Sequence, residues 1–191
     1  MHIIEPCCAK KNLMQMRDAM GKNGMTLFEG YGDLSLTELL PALLTRYSEA
    51  EMVLVAPSLP DQAAAAVKRW MRRQWARMDG KGKLDVIARL TVITDLSADK
   101  SPAASAWLKD NPFPGRLRLV DDRQGETVIL MPDFAIIGPV NMQYGSRFTA
   151  TATSKKAHVD SLWERYGKLA DDAEQAAAAG NGEEEKGETE E

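Results

Sequence analysis

The chain has few of the residues that build disulfide, metal or histidine-based sites. Of its 191 residues, only two are cysteines and two are histidines. Cys7 and Cys8 are neighbours, so they cannot form a disulfide framework, and they lack the spaced partners of a zinc site. We interpret both as reduced, partly buried thiols. The sequence therefore predicts no metal and no cofactor.

Long apolar runs are also missing. No segment approaches the roughly 18 apolar residues that span a bilayer. The first six residues, Met1–Pro6, lack the apolar run of a signal peptide. We therefore expect no membrane partner and a soluble, cytoplasmic protein. A hydrophobic fraction of 44% in a chain of this length is enough for one sizeable core, which favours a single main domain.

The formal net charge of −4 is unevenly distributed along the chain. Residues 171–191 hold nine acidic residues and one lysine, whereas residues 1–170 hold 19 acidic and 23 basic residues. From Ala176 onward there is no aromatic or branched apolar side chain, so burial cannot offset the entropy lost on ordering. We expect one domain over residues 1–170 and a disordered acidic tail over residues 171–191.

The hydrophobic periodicity predicts helices that alternate with strands. The predicted helices are Lys10–Gly21, one beginning at Ser35, Gln62–Met78, Ala103–Leu108 and His158–Leu169; the predicted strands are Met25–Phe28, Met52–Ala56, Arg89–Thr94, Leu117–Val120, Val128–Met131, Phe134–Ile137 and Arg147–Thr153. Strands separated by helices require crossover connections, and the last strands add antiparallel pairs. We therefore expect an α/β fold with a mixed β-sheet flanked by helices.

The stretch DFAIIGPVNM, residues 133–142, ends a predicted strand with Gly138, and Asn141 follows three places later. This motif and the order of the predicted elements over residues 36–169 together resemble a single repeat of the phospholipase D superfamily. In that family a hairpin ends in Gly-Ser-x-Asn, and a polar strand and a closing helix follow. The resemblance implies the same single-repeat fold. It also implies a homodimer, because half-length members of the family pair.

The residues that carry catalysis in that family are absent at the matching positions. The family signature is His-x-Lys, with an aspartate five positions past the lysine. If Asp133 takes the aspartate position, Glu126 stands at the histidine position and Val128 at the lysine position. The family reaction uses imidazoles that titrate near neutral pH as nucleophile and acid. We therefore expect a degenerate motif, formed by Glu126, Asp133, Gly138 and Asn141, without a catalytic residue.

Counting back from Gly138 instead puts Gln124 and Glu126 at the two positions, and neither is a histidine or a lysine. The remaining histidines are poor substitutes, because His2 precedes the domain and His158 opens the predicted closing helix. An atypical phosphodiesterase or nuclease that uses Glu126 stays open as an alternative.

A basic helix is the second informative feature. The segment Ala66–Lys83 contains seven cations and one acid. At helical spacing Val67 and Met71 belong to a buried stripe, so the cations project from the other side. This predicted binding face consists of Lys68, Arg69, Arg72, Arg73 and Arg77. We expect Trp70 at its edge, exposed and able to stack on a base or sugar.

Several guanidinium groups on one face are typical of phosphate recognition, so we expect nucleic acid or another polyanion as the partner. The acidic tail could compete for this face as a tethered polyanion. Two alternatives stay open: the cations only solvate the surface, or they pair with acids such as Asp121 and Asp122. In either case the domain would be a protein-interaction or assembly module of the same fold.

Overall fold

The computed structural model describes residues 24–31, 36–46, 51–76, 89–110, 117–139 and 147–184. The predicted helix Lys10–Gly21 and the cysteine pair lie outside these residues. The elements follow one another as β1 (Met25–Tyr31), α1 (Leu36–Arg46), β2 (Met52–Val55), α2 (Asp61–Ala76), β3 (Leu90–Thr94), α3 (Pro102–Asp110), β4 (Leu117–Asp121), β5 (Glu126–Leu130), β6 (Ala135–Pro139), β7 (Arg147–Thr153) and α4 (Lys156–Glu184).

The strands form a seven-stranded mixed sheet in the order β1-β7-β6-β5-β2-β3-β4. Strands β2, β3 and β4 are parallel, because α2 and α3 carry the chain back between them. The remaining pairs are antiparallel, and β5 joins the two halves by pairing with β2. The expected α/β fold with a mixed sheet is confirmed.

Because successive side chains of a strand point to opposite faces of the sheet, the core consists of two layers, one on each face. On β2, Met52 and Leu54 pack with α1, α2 and α3. Val53 and Val55 face the opposite side and pack in the layer that contains α4. The basic helix α2 and the closing helix α4 therefore lie on opposite faces of the sheet.

Helix α4 is longer than its sequence pattern predicted. It continues past Leu169 to Glu184, so the first part of the segment expected to be a disordered tail is helical. Alanine has the highest helix propensity, and a run of alanines follows Gln175. The helix is also held beyond Leu169, since Ala170 and Ala173 pack against the sheet and Asp171 accepts a 3.0 Å hydrogen bond from Arg118 on β4. Within residues 24–184 as described, no helix is long and apolar enough to cross a membrane.

Candidate nucleic-acid interface and motif region

Helix α2 carries the predicted basic face. It follows the turn at Pro60, whose carbonyl accepts a 2.9 Å hydrogen bond from the Ala64 N–H. Leu59, which precedes Pro60, is linked to the start of α3, because its N–H donates a 2.9 Å hydrogen bond to Ser101 Oγ. The apolar side of α2 is buried against the sheet and α1 through Ala63, Ala64, Ala66, Val67, Trp70 and Met71.

The opposite side of α2 presents four cations to solvent, Lys68, Arg69, Arg72 and Arg73. None of them forms an ion pair within the part of the chain that the structure describes. Asp121, one of the acids considered as a partner, instead accepts a 2.9 Å hydrogen bond from the Leu96 N–H. The fifth predicted cation, Arg77, lies outside the described residues. The four placed cations therefore form a strip of positive charge that has no acidic partner among the described residues.

Trp70 is not exposed at the edge of the basic face, contrary to the sequence-based prediction. Only 3% of its surface is exposed, so the expectation of an exposed indole is wrong. The helical positions explain this, because Trp70 stands four residues after Ala66 and next to Met71, on the side that packs against α1. Its Nε1–H is enclosed and has no acceptor among the described residues. An enclosed donor without an acceptor costs about 1–3 kcal/mol.

A cavity of about 230 Å³ opens between α1 and α2 beside Trp70. Its walls are formed by Pro41, Leu44, Ala66, Arg69, Trp70 and Arg73. Two of the four exposed cations therefore border this cavity, while Lys68 and Arg72 do not. The cavity could not be predicted from the sequence, because it depends on how α1 and α2 pack.

The second region of interest is the start of β5, where Glu126 was predicted at the histidine position of the motif. Two side chains of α4 interact with its carboxylate. Tyr166 Oη donates a 2.6 Å hydrogen bond to Glu126 Oε1, and Arg165 Nη1 lies 3.2 Å from the same oxygen. The Arg165 guanidinium also stacks over the Tyr166 ring at 5.1 Å. Burial and then the hydrogen bond to Glu126 raise the pKa of Tyr166 above its ordinary value.

The other motif positions are spread along the β5–β6 hairpin. Val128, at the lysine position, is fully buried beneath α4. Gly138 is buried on β6 and pairs with Thr127. Asp133 is exposed in the turn at the other end of the hairpin, six strand positions or roughly 20 Å from Glu126. The structure thus brings Glu126 near Gly138 but not near Asp133, and Asn141 lies outside the described residues.

His158 does not approach this region. It is exposed in the first turn of α4, eight residues before Tyr166 and therefore roughly 12 Å from it along the helix axis. The sequence missed Tyr166 and Arg165 as partners of Glu126. Tyr166 falls within the predicted closing helix His158–Leu169, but its spacing in the sequence does not indicate a contact with β5. No group of three potential metal-ligating side chains occurs in the described ranges.

No family model matches the sequence, and no curated protein matches it. Solved structures do share its fold. NucT from Helicobacter pylori is 13% identical with a TM-score of 0.50, covering 76% of this chain and 95% of NucT. Polyphosphate kinase from Porphyromonas gingivalis is 12% identical with a TM-score of 0.53, covering 78% of this chain and 24% of the kinase. Nuc from Salmonella typhimurium, a phospholipase D family member, is 13% identical with a TM-score of 0.45, over 76% of this chain and 93% of Nuc.

This chain spans about a quarter of the length of that kinase but nearly the whole of NucT. At such low identities the likeness concerns the fold alone. The described domain has an α/β fold with a mixed sheet, and NucT and the polyphosphate kinase share this fold.

Proposed function

We propose that this protein is a catalytically inactive phospholipase D-like domain that binds nucleic acid or another polyanion through α2. The observation that carries the proposal is the strip formed by Lys68, Arg69, Arg72 and Arg73, which is exposed and unpaired within the described residues. Guanidinium groups bind phosphate oxygens in pairs of hydrogen bonds, and they remain charged at any physiological pH.

The inactive part of the proposal is supported by the surroundings of Glu126. Its carboxylate is engaged by Tyr166 and Arg165, and Val128 cannot bind a phosphate. A carboxylate that is held by a hydrogen bond and an ion pair is a poor nucleophile toward an anionic diester. The exposed His158 lies too far away to supply the missing imidazole.

Salt-dependent binding tests the proposal. A fluorescently labelled oligonucleotide is titrated with wild-type protein and with the double variant Arg72→Ala/Arg73→Ala between about 50 and 200 mM salt. Loss of two phosphate contacts should weaken binding and lower the slope of log affinity against log salt by about 2. Lys155→Ala/Lys168→Ala is the matched control, because it removes two exposed charges from the α4 side. Equal effects of the two pairs would refute a binding face on α2.

A second candidate is an assembly module of the same fold, favoured by the edge strand β1. Met25 and Leu27 expose 49% and 46% of their surfaces on this strand, which is terminal in the described sheet. Edge strands with apolar side chains can pair with a second copy, giving a homodimer. Sedimentation of wild type and Leu27→Lys distinguishes the cases, since an edge-paired dimer should dissociate in the variant.

A cytoplasmic location remains a prediction that cell fractionation can check.

A further inference from the structure

The charged side chains of the parallel half of the sheet are divided between its two edges. Strands β2, β3 and β4 run in one direction, so their carboxyl ends meet at one edge and their amino ends at the other. Helices α2 and α3 connect these strands and run in the opposite direction, so each begins at the carboxyl edge and ends at the amino edge. A side chain late in either helix therefore lies toward the amino edge.

The amino edge is positive. The strip on α2 begins seven residues after Asp61, roughly 10 Å along the helix axis, and continues toward this edge. Arg89, which directly precedes β3, and Lys109, in the last turn of α3, are also exposed there. The described charges on this side are six cations and two acids: Lys68, Arg69, Arg72, Arg73, Arg89, Lys109, Glu51 and Asp110.

The carboxyl edge is negative. Its acids open α2, follow the ends of β3 and β4, and include Glu126 at the start of β5, beside the carboxyl end of β2. The described charges on this side are six acids and two cations: Asp61, Asp95, Asp99, Asp121, Asp122, Glu126, Lys100 and Arg123. One of these cations, Arg123, is also paired, since its Nε lies 3.5 Å from the Asp95 carboxylate.

We infer that a nucleic acid duplex binds at the amino edge, where Arg89 and Lys109 contact phosphates beside the strip on α2. This inference rests on the proposed function but goes further, because it adds two binding residues and fixes the position of the partner. A strand end and two neighbouring helices, with axes roughly 8–10 Å apart, supply the cations, so the positive charge covers an area rather than a line. A duplex matches such an area, because it presents phosphates on two strands, one charge per roughly 1.7 Å of its axis.

The charge of the carboxyl edge also keeps the bound duplex away from the region around Glu126. The acids there repel the phosphates that the opposite edge attracts. Glu126 itself lies at this negative edge, beside the carboxyl end of β2. The two ends of the parallel half thus orient the partner, and the strand that is bound does not reach the motif region.

The first test compares two matched pairs of exposed cations, one from each edge. A labelled duplex of about 20 base pairs is titrated between about 50 and 200 mM salt. Arg89→Ala/Lys109→Ala should weaken binding at least about fivefold and lower the slope of log affinity against log salt by about 2. Lys100→Ala/Arg123→Ala, at the carboxyl edge, should leave both quantities nearly unchanged.

The outcomes separate this inference from the proposed function. If Arg72→Ala/Arg73→Ala weakens binding but Arg89→Ala/Lys109→Ala does not, the position of the duplex is wrong and the binding face on α2 stands. Equal losses from the pairs at the two edges would also overturn the position. Failure of the wild type to bind any polyanion at low salt would overturn the proposed function itself.

The second test locates the duplex without removing a charge. The photo-reactive residue p-benzoylphenylalanine replaces either Leu108, near the end of α3, or Ala98, in the loop after β3; both side chains are exposed and uncharged. Irradiation should cross-link the labelled duplex to the protein substituted at Leu108 and not to the one substituted at Ala98. Cross-linking at Ala98 alone, or equally at both positions, would overturn the inference.

The third test identifies the partner by competition. Unlabelled duplex, single strand and inorganic polyphosphate, each at the same phosphate concentration, compete with the labelled duplex for the wild-type protein. The unlabelled duplex should compete best, because it alone covers the whole positive area. Equal or better competition by the single strand or by polyphosphate would overturn the assignment of the amino edge to a duplex.

Discussion

The carboxylate of Glu126 is held by the α4 residues Tyr166 and Arg165, which the sequence did not identify as its partners. Tyr166 is fully buried, and among the described residues its hydroxyl has this one oxygen as its hydrogen-bond partner. Such a pair joins α4 to the sheet at the start of β5. At this position the structure therefore has a packing contact between α4 and β5.

Replacing Tyr166 by phenylalanine should lower the free energy of unfolding by about 1–3 kcal/mol at neutral pH, because a hydrogen bond to a charged acceptor is lost. Urea denaturation followed by circular dichroism measures the change. Arg165→Ala is the comparison, since it removes an exposed ion pair worth less than about 1 kcal/mol. An equal or larger loss in Arg165→Ala would contradict the assignment of the main contact to Tyr166.

The same tyrosine should make stability depend on alkaline pH. Because its pKa is higher in the folded state than the ordinary value of 10.0, the folded protein binds this proton more tightly. The resulting stabilisation is complete below pH 10 and is lost as the pH rises toward the folded-state pKa. Wild type should therefore lose more stability than Tyr166→Phe between about pH 9.5 and 11. Parallel pH profiles of the two proteins would contradict this linkage.

At the residue level, the exposure of the charged side chains on α2 could be predicted from the sequence, but the burial of Trp70 could not. Lys68, Arg69, Arg72 and Arg73 are exposed as expected, because long charged side chains avoid the core. Trp70 was placed wrongly because it stands at the border of the apolar stripe, where the neighbouring helix decides burial. The cavity and the partners of Glu126 join residues far apart in sequence, and periodicity carries no information about such contacts.

At the level of elements, α1 contains a proline in its interior, which disfavours helix formation. Pro41 lies inside the helix, where it lacks the N–H that would bond to the carbonyl four residues earlier. The helix nevertheless forms because Leu39, Leu40, Leu43 and Leu44 are buried against α2 and the sheet. Tertiary packing thus outweighs local propensity in this helix.

Pro41→Ala should raise the free energy of unfolding by about 1–3 kcal/mol, because it restores an N–H donor and removes the ring from the helix interior. Thermal and urea denaturation measure the gain. Ala42→Gly is a control in the opposite direction, expected to cost about 1 kcal/mol. A loss of stability in Pro41→Ala would show that packing of the proline ring contributes more than the missing hydrogen bond.

The order and type of the elements could be predicted from the sequence because each is short and strongly patterned. All seven predicted strands are present, with ends that differ by a few residues. The end of α4 could not be predicted by the same reasoning. Absence of large apolar residues was taken to mean disorder, but alanine-rich segments can form a helix through backbone hydrogen bonds when the preceding turns are anchored.

At the level of the whole molecule, the described positions of the acidic segment change the expectation for its role. Asp171 and the residues up to Glu184 belong to α4, which packs on the face of the sheet opposite α2. Competition for the basic strip by this part of the chain would therefore act through long-range charge rather than contact. Residues 185–191 lie outside the described residues.

Deleting residues 171–191 should tighten polyanion binding at about 50 mM salt by a few-fold and leave it nearly unchanged at high salt, where charges more than a Debye length apart are screened. Replacing the acids of the segment by glutamine and asparagine is the matched control, since it removes the charge and keeps the length. Identical affinity of the deleted and intact proteins at low salt would remove any role for the tail in binding.

The central claim, binding without cleavage, is tested most directly by incubating excess protein with an end-labelled oligonucleotide at low salt and dividing each sample between a native and a denaturing gel. We predict a retarded band on the native gel and a full-length strand on the denaturing gel at all times. Shortened strands that disappear with Glu126→Gln would contradict the claim by showing a working phosphodiesterase, and an unretarded strand would contradict it by showing no binding.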